Sequence, residues 1–196
     1  MNMKTRILTH LALLIIAGFL ATGCSATLQH GPLVTTPGTD KGSLAVTGRA
    51  QNMNNRIGWG TFTVFAIPVA PVTLNGEGDV ELMNQIKDAV VQAGYQVQTV
   101  DIGGAAANMP LLSCNVQKFG FRNYTYFFPL VFNWGTIQLQ VSVTSPEGKV
   151  LWSKTYTGKG NGMYDFNTPV SNALTSILNE LSRDLLKADF KSSANG

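Results

Sequence analysis

Few residues in this chain have the types or spacing that a reaction centre needs. Beyond residue 23 there is one histidine, His30. It falls in a polar, Gly- and Pro-containing stretch, so neither a His-based triad nor a His-rich metal site is expected in the folded part. Cys24 and Cys114 are the only cysteines, which rules out a cluster of thiolate ligands. Cys114 lies in Leu112-Ser113-Cys114-Asn115-Val116, on the strand face of Leu112 and Val116, and reads as a buried thiol. Most of the 11 carboxylates fall in helix starts, turns and solvated helix faces. A distant pair such as Asp101 with Asp165 could meet, but nothing in the spacing supports it. Gly158-Lys159-Gly160-Asn161-Gly162 lacks the spacing of a phosphate-binding loop, and no helix starts directly after it. It reads as a flexible exit from a hairpin. The expectation is a protein with no catalytic residue, no metal site and no cofactor, and not an enzyme.

The chemistry that the sequence does point to is at Cys24. Lys4 and Arg6 form a positive head, and Ile7 to Leu20 follow without a charge. That run suits the core of an export signal and is shorter than the roughly 20 residues of a spanning helix. Leu20-Ala21-Thr22-Gly23-Cys24 then resembles a lipobox, with Ala21 where Leu is commoner. Residues 1–23 are expected to be removed as a lipoprotein signal peptide. The thiol of Cys24 would carry a covalent lipid, its acyl chains (palmitate and the like) serving as membrane anchor. Ser25 is not the Asp that retains such proteins at the inner membrane of enteric-type bacteria, so the class implies an outer-membrane, periplasm-facing location. Cys24 being used in this way, Cys114 has no disulfide partner.

Charge and composition narrow the partners. Without Lys4 and Arg6 the 14 basic residues become 12, against 11 acids. The basic residues are dispersed, which does not support nucleic-acid binding. Residues 24–42, rich in Ser, Thr, Gly and Pro, read as a lipidated flexible tether that could reach up to roughly 60 Å. One domain is expected over 43–190, with 191–196 a disordered tail.

Within the domain, Leu44 to Thr47 reads as a short strand, Arg49 to Trp59 as a polar loop, and Thr61 to Val69 as one buried strand ended by Pro68. Asp79 is an N-cap candidate. Leu82, Met83, Ile86, Ala89, Val90 and Ala93 recur at helical spacing, and Gly94 stops the helix. Strands are expected over Tyr95 to Val100, Leu111 to Phe119, Thr136 to Thr144 and Val150 to Thr157. The turn Ser145 to Lys149 joins the last two. Thr168 and Pro169 open a second helix, with Val170, Ala173, Leu174, Ile177, Leu178, Leu181 and Leu185 on its apolar face. The order β-β-α-β-β-β-β-α predicts a two-layer α/β (α+β) sandwich: a mixed, mostly antiparallel sheet with two helices on one face.

On these residues the chain resembles the small bacterial envelope lipoproteins of the YajG-like kind. It is more loosely similar to the TolB amino-terminal and CsgG-like α/β modules. The resemblance rests on the lipobox, Phe65-Ala66-Ile67-Pro68, Ala93-Gly94-Tyr95-Gln96-Val97, and Glu147-Gly148-Lys149-Val150-Leu151-Trp152 before a last amphipathic helix. It implies an adaptor, regulator or assembly part of an envelope machine. The segment Phe119 to Trp134 departs from the small YajG-like members. It holds eight aromatic side chains, more than one sheet face can bury. One reading is a strand pair or loop folded over the open sheet face. The other is an exposed patch for a partner protein or the bilayer interface, with Arg122, Tyr124, Tyr126, Phe127, Phe128 and Trp134 as contacts. The functional expectation is a non-enzymatic lipoprotein that binds another envelope protein, self-association remaining open. The alternative is a carrier or sensor of a lipid or other apolar ligand, which calls for a closed pocket with the aromatics inside.

Overall fold

The computed structural model describes residues 24–62, 67–101, 108–127 and 130–190. The expected signal peptide and the tail 191–196 lie outside them. Eight described strands form one mixed sheet: β1 (Cys24–Ala26), β2 (Ser43–Thr47), β3 (Arg56–Phe62), β4 (Ile67–Leu74), β5 (Gln96–Val100), β6 (Leu111–Phe127), β7 (Leu130–Thr144) and β8 (Val150–Met163). Helices α1 (Gly78–Gln92) and α2 (Asn167–Lys187) pack on one face and touch each other. This is the expected α/β sandwich, and its longest ladders, β6–β7 and β7–β8, are antiparallel.

Strand β6 organises the sheet. Along one side it pairs in parallel first with β2, at Leu111 and Leu112, and then with β3, from Phe121 to Thr125. Its other side carries β7 throughout. β4 and β1 extend the sheet beyond β3, and β5 extends it beyond β2.

The helices follow the apolar spacing. Leu82, Met83, Ile86, Ala89 and Val90 of α1 are buried, as are Val170, Ala173, Leu174, Ile177, Leu178, Leu181 and Leu185 of α2. Each large aliphatic side chain contributes about 1.5–3 kcal/mol by leaving water. Gly94 takes φ +94 just beyond α1, a left-handed stop that suits glycine. The caps differ from expectation. Glu77 precedes α1, and Asp79 lies in its first turn, where its carboxylate pairs with Arg49 at 3.0 Å. At α2 the cap is Asp165 rather than Thr168. Its carboxylate accepts the Thr168 hydroxyl and the N–H groups of Asn167 and Thr168, the last two at 2.9 and 3.0 Å, and these bonds hold its pKa low.

The strands differ from expectation in four places. The run Thr61 to Val69 is not one strand but the facing ends of β3 and β4, and Arg56 to Trp59 belong to β3 rather than to a loop. Pro68 and Pro71 sit inside β4, near the sheet edge where a missing N–H costs least. The aromatic segment does not fold over the sheet. It lengthens it, because β6 and β7 run on to Phe127 and back from Leu130. The glycine segment after Thr157 is the end of β8, not a flexible exit. Its glycines are required by α2. A Cβ on Gly158 would stand 2.0 Å from the carbonyl oxygen of Ala173, and one on Gly160 2.0 Å from that of Pro169.

The segment 24–42 is not free tether. After β1 it lies as a strap along the outer seam of α1 and α2. The N–H groups of Thr27, Gly31 and Val34 donate to Asn167, Thr175 and Asn179 of α2. His30 N–H donates to Gln85, and Gly38 N–H to the carbonyl of Gln92. Lys41 Nζ donates to the carbonyls of Leu185 and Ala188 at 3.1 and 2.7 Å, where α2 ends and its dipole favours a cation. Leu28 is buried, whereas Val34 is 83% exposed. A strap of small polar residues has no hydrophobic period, yet its backbone finds acceptors on helix faces that look merely solvated.

Candidate functional site

The face of the sheet away from the helices carries no described element. Its side chains are set by a register shift in β6 between Val116 and Lys118. Below the shift, Leu112, Cys114 and Val116 point at the helices. Above it, Phe121 and Asn123 do, with Ile137 and Asn133 opposite. Without the extra residue, Lys118, Arg122 and Tyr124 would be turned into the core.

Three rows result on the open face, read across the strands toward the β6–β7 hairpin end. Gly120, Thr136 and Lys159 form the first. Trp59, Arg122, Trp134 and Asn161 form the second, and Thr61, Tyr124, Phe132 and Met163 the third. The rings of Tyr124 and Trp134 meet edge-on with centroids 5.5 Å apart, and Phe132 stacks on Trp134 at 6.2 Å. The Arg56 guanidinium lies 4.1 Å from the centroid of the Trp59 ring. Trp59 is 44% and Trp134 42% exposed. An open groove of about 570 Å³ runs between Lys118, Arg122, Tyr124, Trp134 and Lys159. A second, of about 390 Å³, lies by Phe132, Trp134 and Met163.

The inner side holds this surface flat. Asn123 and Asn133 are buried and joined at 2.6 Å, and Asn133 also donates to the Asp165 carbonyl at 2.8 Å, tying the start of α2 to the sheet. Phe121 packs on Phe166 with centroids 5.5 Å apart.

Titratable groups elsewhere are placed for structure. Asp184 accepts from Lys154 at 2.7 Å and from the buried hydroxyl of Tyr156 at 2.9 Å. Burial opposes ionisation of Asp184, but these hydrogen bonds and the Lys154 charge outweigh it, and its pKa is lowered. Burial, and then the bond to Asp184, push the Tyr156 phenol far up. Burial raises the Cys114 thiol to about 12, so it stays protonated. His30 Nε2 lies 3.2 Å from Asp88, on the strap rather than in a free tether. Among the described residues no group of three His, Cys, Asp or Glu gathers to hold a metal.

Of the residues named from sequence, Arg122, Tyr124 and Trp134 come together on the open face. Tyr126 and Phe127 lie in β6, in the stretch where the backbone alone is described, and Phe128 lies outside the described residues. Cys24 opens β1, paired with Val72. Sequence reasoning missed Trp59, Lys118 and Lys159, which only strand register brings beside Arg122. One signal was available: none of the eight strands contains Asp or Glu, whereas β3, β6 and β8 carry Arg56, Lys118, Arg122, Lys154 and Lys159. No described helix is long and apolar enough to cross a membrane.

No family model matches this chain, and no curated protein does. Several solved structures share a general arrangement. Protein XCC0632 from Xanthomonas campestris is 17% identical, with 85% of this chain and 93% of that one covered and a TM-score of 0.47. The PelC dodecamer from Paraburkholderia phytofirmans is 15% identical, covering 81% and 94%, TM-score 0.47. Lipoprotein GNA1162 from Neisseria meningitidis is 11% identical, covering 74% and 99%, TM-score 0.38.

Proposed function

We propose that this is a lipid-anchored, non-enzymatic protein of the bacterial envelope, held at the outer membrane through Cys24, whose open sheet face binds an acidic surface of another envelope protein. The lipobox before Cys24 supports the anchor. The observation that carries the binding role is the groove between Lys118, Arg122 and Lys159, capped by Tyr124 and Trp134. It is cationic, no carboxylate of the sheet strands neutralises it, and a rigid ladder presents it. Half-exposed aromatics beside Arg are the usual anchors of a protein contact. The lipid-carrier alternative calls for an enclosed apolar cavity. Both grooves described here open on the sheet surface, with Trp134 half exposed, which favours docking.

Photo-crosslinking in cells, from residues placed at 118, 136 and 159, tests the reading. One protein adduct is expected, and the adduct from position 136 is lost when Lys118→Glu and Lys159→Glu are combined in a protein that still melts cooperatively. Absence of any protein adduct from all three positions would refute the binding role.

A further inference from the structure

We propose that the sheet meets the bilayer that holds the lipid on Cys24 at the row of Trp59, Arg122 and Trp134, with both tryptophans in the headgroup and interfacial layer. The inference rests on lipidation of Cys24 and is independent of the protein partner.

No free tether separates Cys24 from the domain. Cys24 is hydrogen-bonded into the sheet as the first residue of β1, and the strap behind it is fastened to both helices. Acyl chains on that residue cannot enter a bilayer unless the sheet comes with them.

Register gives the level of the anchor. β1 runs parallel to β4 and antiparallel to β3 and β6, so its first residue faces the hairpin end. Cys24 is level with Val72, Val72 with Gly58, and Gly58 with Phe121. The row of Trp59, Arg122 and Trp134 lies one residue further toward the hairpin end, about 3.3 Å along the strands. A membrane plane lying across the strands at the anchor therefore meets this row.

The open face carries its side chains in a matching order. Far from the anchor it shows Ser113, Ser142, Gln140 and Gln138. Approaching the level of the anchor it shows Lys118 and then Lys159, three residues and one residue short of it. Just beyond, Arg122 shares a row with Trp59 and Trp134, and Tyr124 and Phe132 follow. Uncharged polar, then cationic, then aromatic is the succession of water, anionic headgroups and interface. None of the described strands carries a carboxylate to repel lipid phosphate, and Asp165, two residues past β8, is taken up by the start of α2. The lower part of the groove is left below the headgroups, open to a protein.

The three tryptophans of the chain supply the test. Trp152 pairs with Val143, nine residues along β7 from Trp134 and so roughly 30 Å from the anchor row. Full-length lipidated protein is made in three single-tryptophan forms, the other two positions carrying Phe. Each is reconstituted in phosphatidylethanolamine–phosphatidylglycerol vesicles with acyl chains brominated near the glycerol. Emission of Trp59 and Trp134 is expected to fall by about half or more and that of Trp152 to stay unchanged. Flotation with the vesicles, abolished by Cys24→Ser, reports the anchor separately. Flotation with Trp59 and Trp134 unquenched would overturn the orientation and leave lipidation standing. Equal quenching of all three would also overturn it. Failure to float would remove both. Shielding of Trp59 and Trp134 from iodide in intact envelopes, without quenching by brominated lipid, would assign the row to a protein and overturn the proposal.

Discussion

Replacing Gly160 with Ala tests the contact that gives the sheet its shape. Gly160 adopts no positive φ, so Ala is free of backbone strain there, and any cost must come from α2. The added Cβ would stand 2.0 Å from the Pro169 carbonyl oxygen, 2.9 Å from its carbon and 3.0 Å from the Ala173 nitrogen. Ordinary carbon–oxygen contact needs about 3.3 Å. The helix must back off by on the order of 1 Å, opening gaps beneath Val170 and Ala173. Overpacking of this kind costs roughly 1–3 kcal/mol, and here the clash is with backbone that cannot rotate away, so about 3 kcal/mol is expected. For a domain of this size that lowers Tm by about 6–12 °C. The control is Gly120→Ala on the open face, whose Cβ would find its nearest neighbours at 3.8 Å. It should change stability by no more than about 0.5 kcal/mol. Thermal and urea unfolding followed by circular dichroism measures both. If the two variants unfold alike, the close seating of α2 on β8 is wrong.

Other outcomes are expected from the same structure. Asp184→Ala should cost about 1–3 kcal/mol, because the buried Tyr156 hydroxyl loses its acceptor and Lys154 is left with Glu180 alone; urea midpoints of wild type and variant check it. The folded pKa values of Asp184 and Asp165 are lowered. Their stabilisation should be complete above the unfolded carboxylate value of about 3.9 and be lost as pH falls through the folded values, seen as a declining urea midpoint in acid. Cys114 and Tyr95, both raised to about 12 chiefly by burial, work in the opposite sense. Stability should fall as pH rises from about 9 toward 12, and Cys114 should react with a disulfide reagent only after unfolding. Gly38→Val places a Cβ 2.2 Å from the Ala93 carbonyl oxygen. It should lift the strap, visible as faster hydrogen exchange of residues 27–41 with α1 and α2 still protected.

How legible the molecule was in its sequence follows from range. Helical spacing in 80–93 and 170–185 identified both helices and nearly every buried position, because a helix displays its apolar face within one short stretch. The alternation of Ile137, Leu139, Val141 and Val143 did the same for β7. The turn at Gly148 and the stop at Gly94 needed only the left-handed conformation of one residue. Reading failed where the partner is far away in the chain. The glycines after Thr157 look like a loop until α2 is laid against them. The strap looks like a tether until Gln85, Thr175 and Asn179 supply its hydrogen bonds.

The sequence by itself determined the helices, the apolar core and the strands free of carboxylates, and it raised the expectation of a lipobox before Cys24, all from neighbours along the chain. Tertiary structure alone decided that Arg122, Tyr124 and Trp134 share a face with Trp59, Lys118 and Lys159, and that Cys24 lies one residue short of the level of the Trp59–Arg122–Trp134 row. That placement depends on one extra residue in β6 and on the register of strands far apart in sequence. A single-residue slip there would reverse every side chain of the row, and no local pattern reports it.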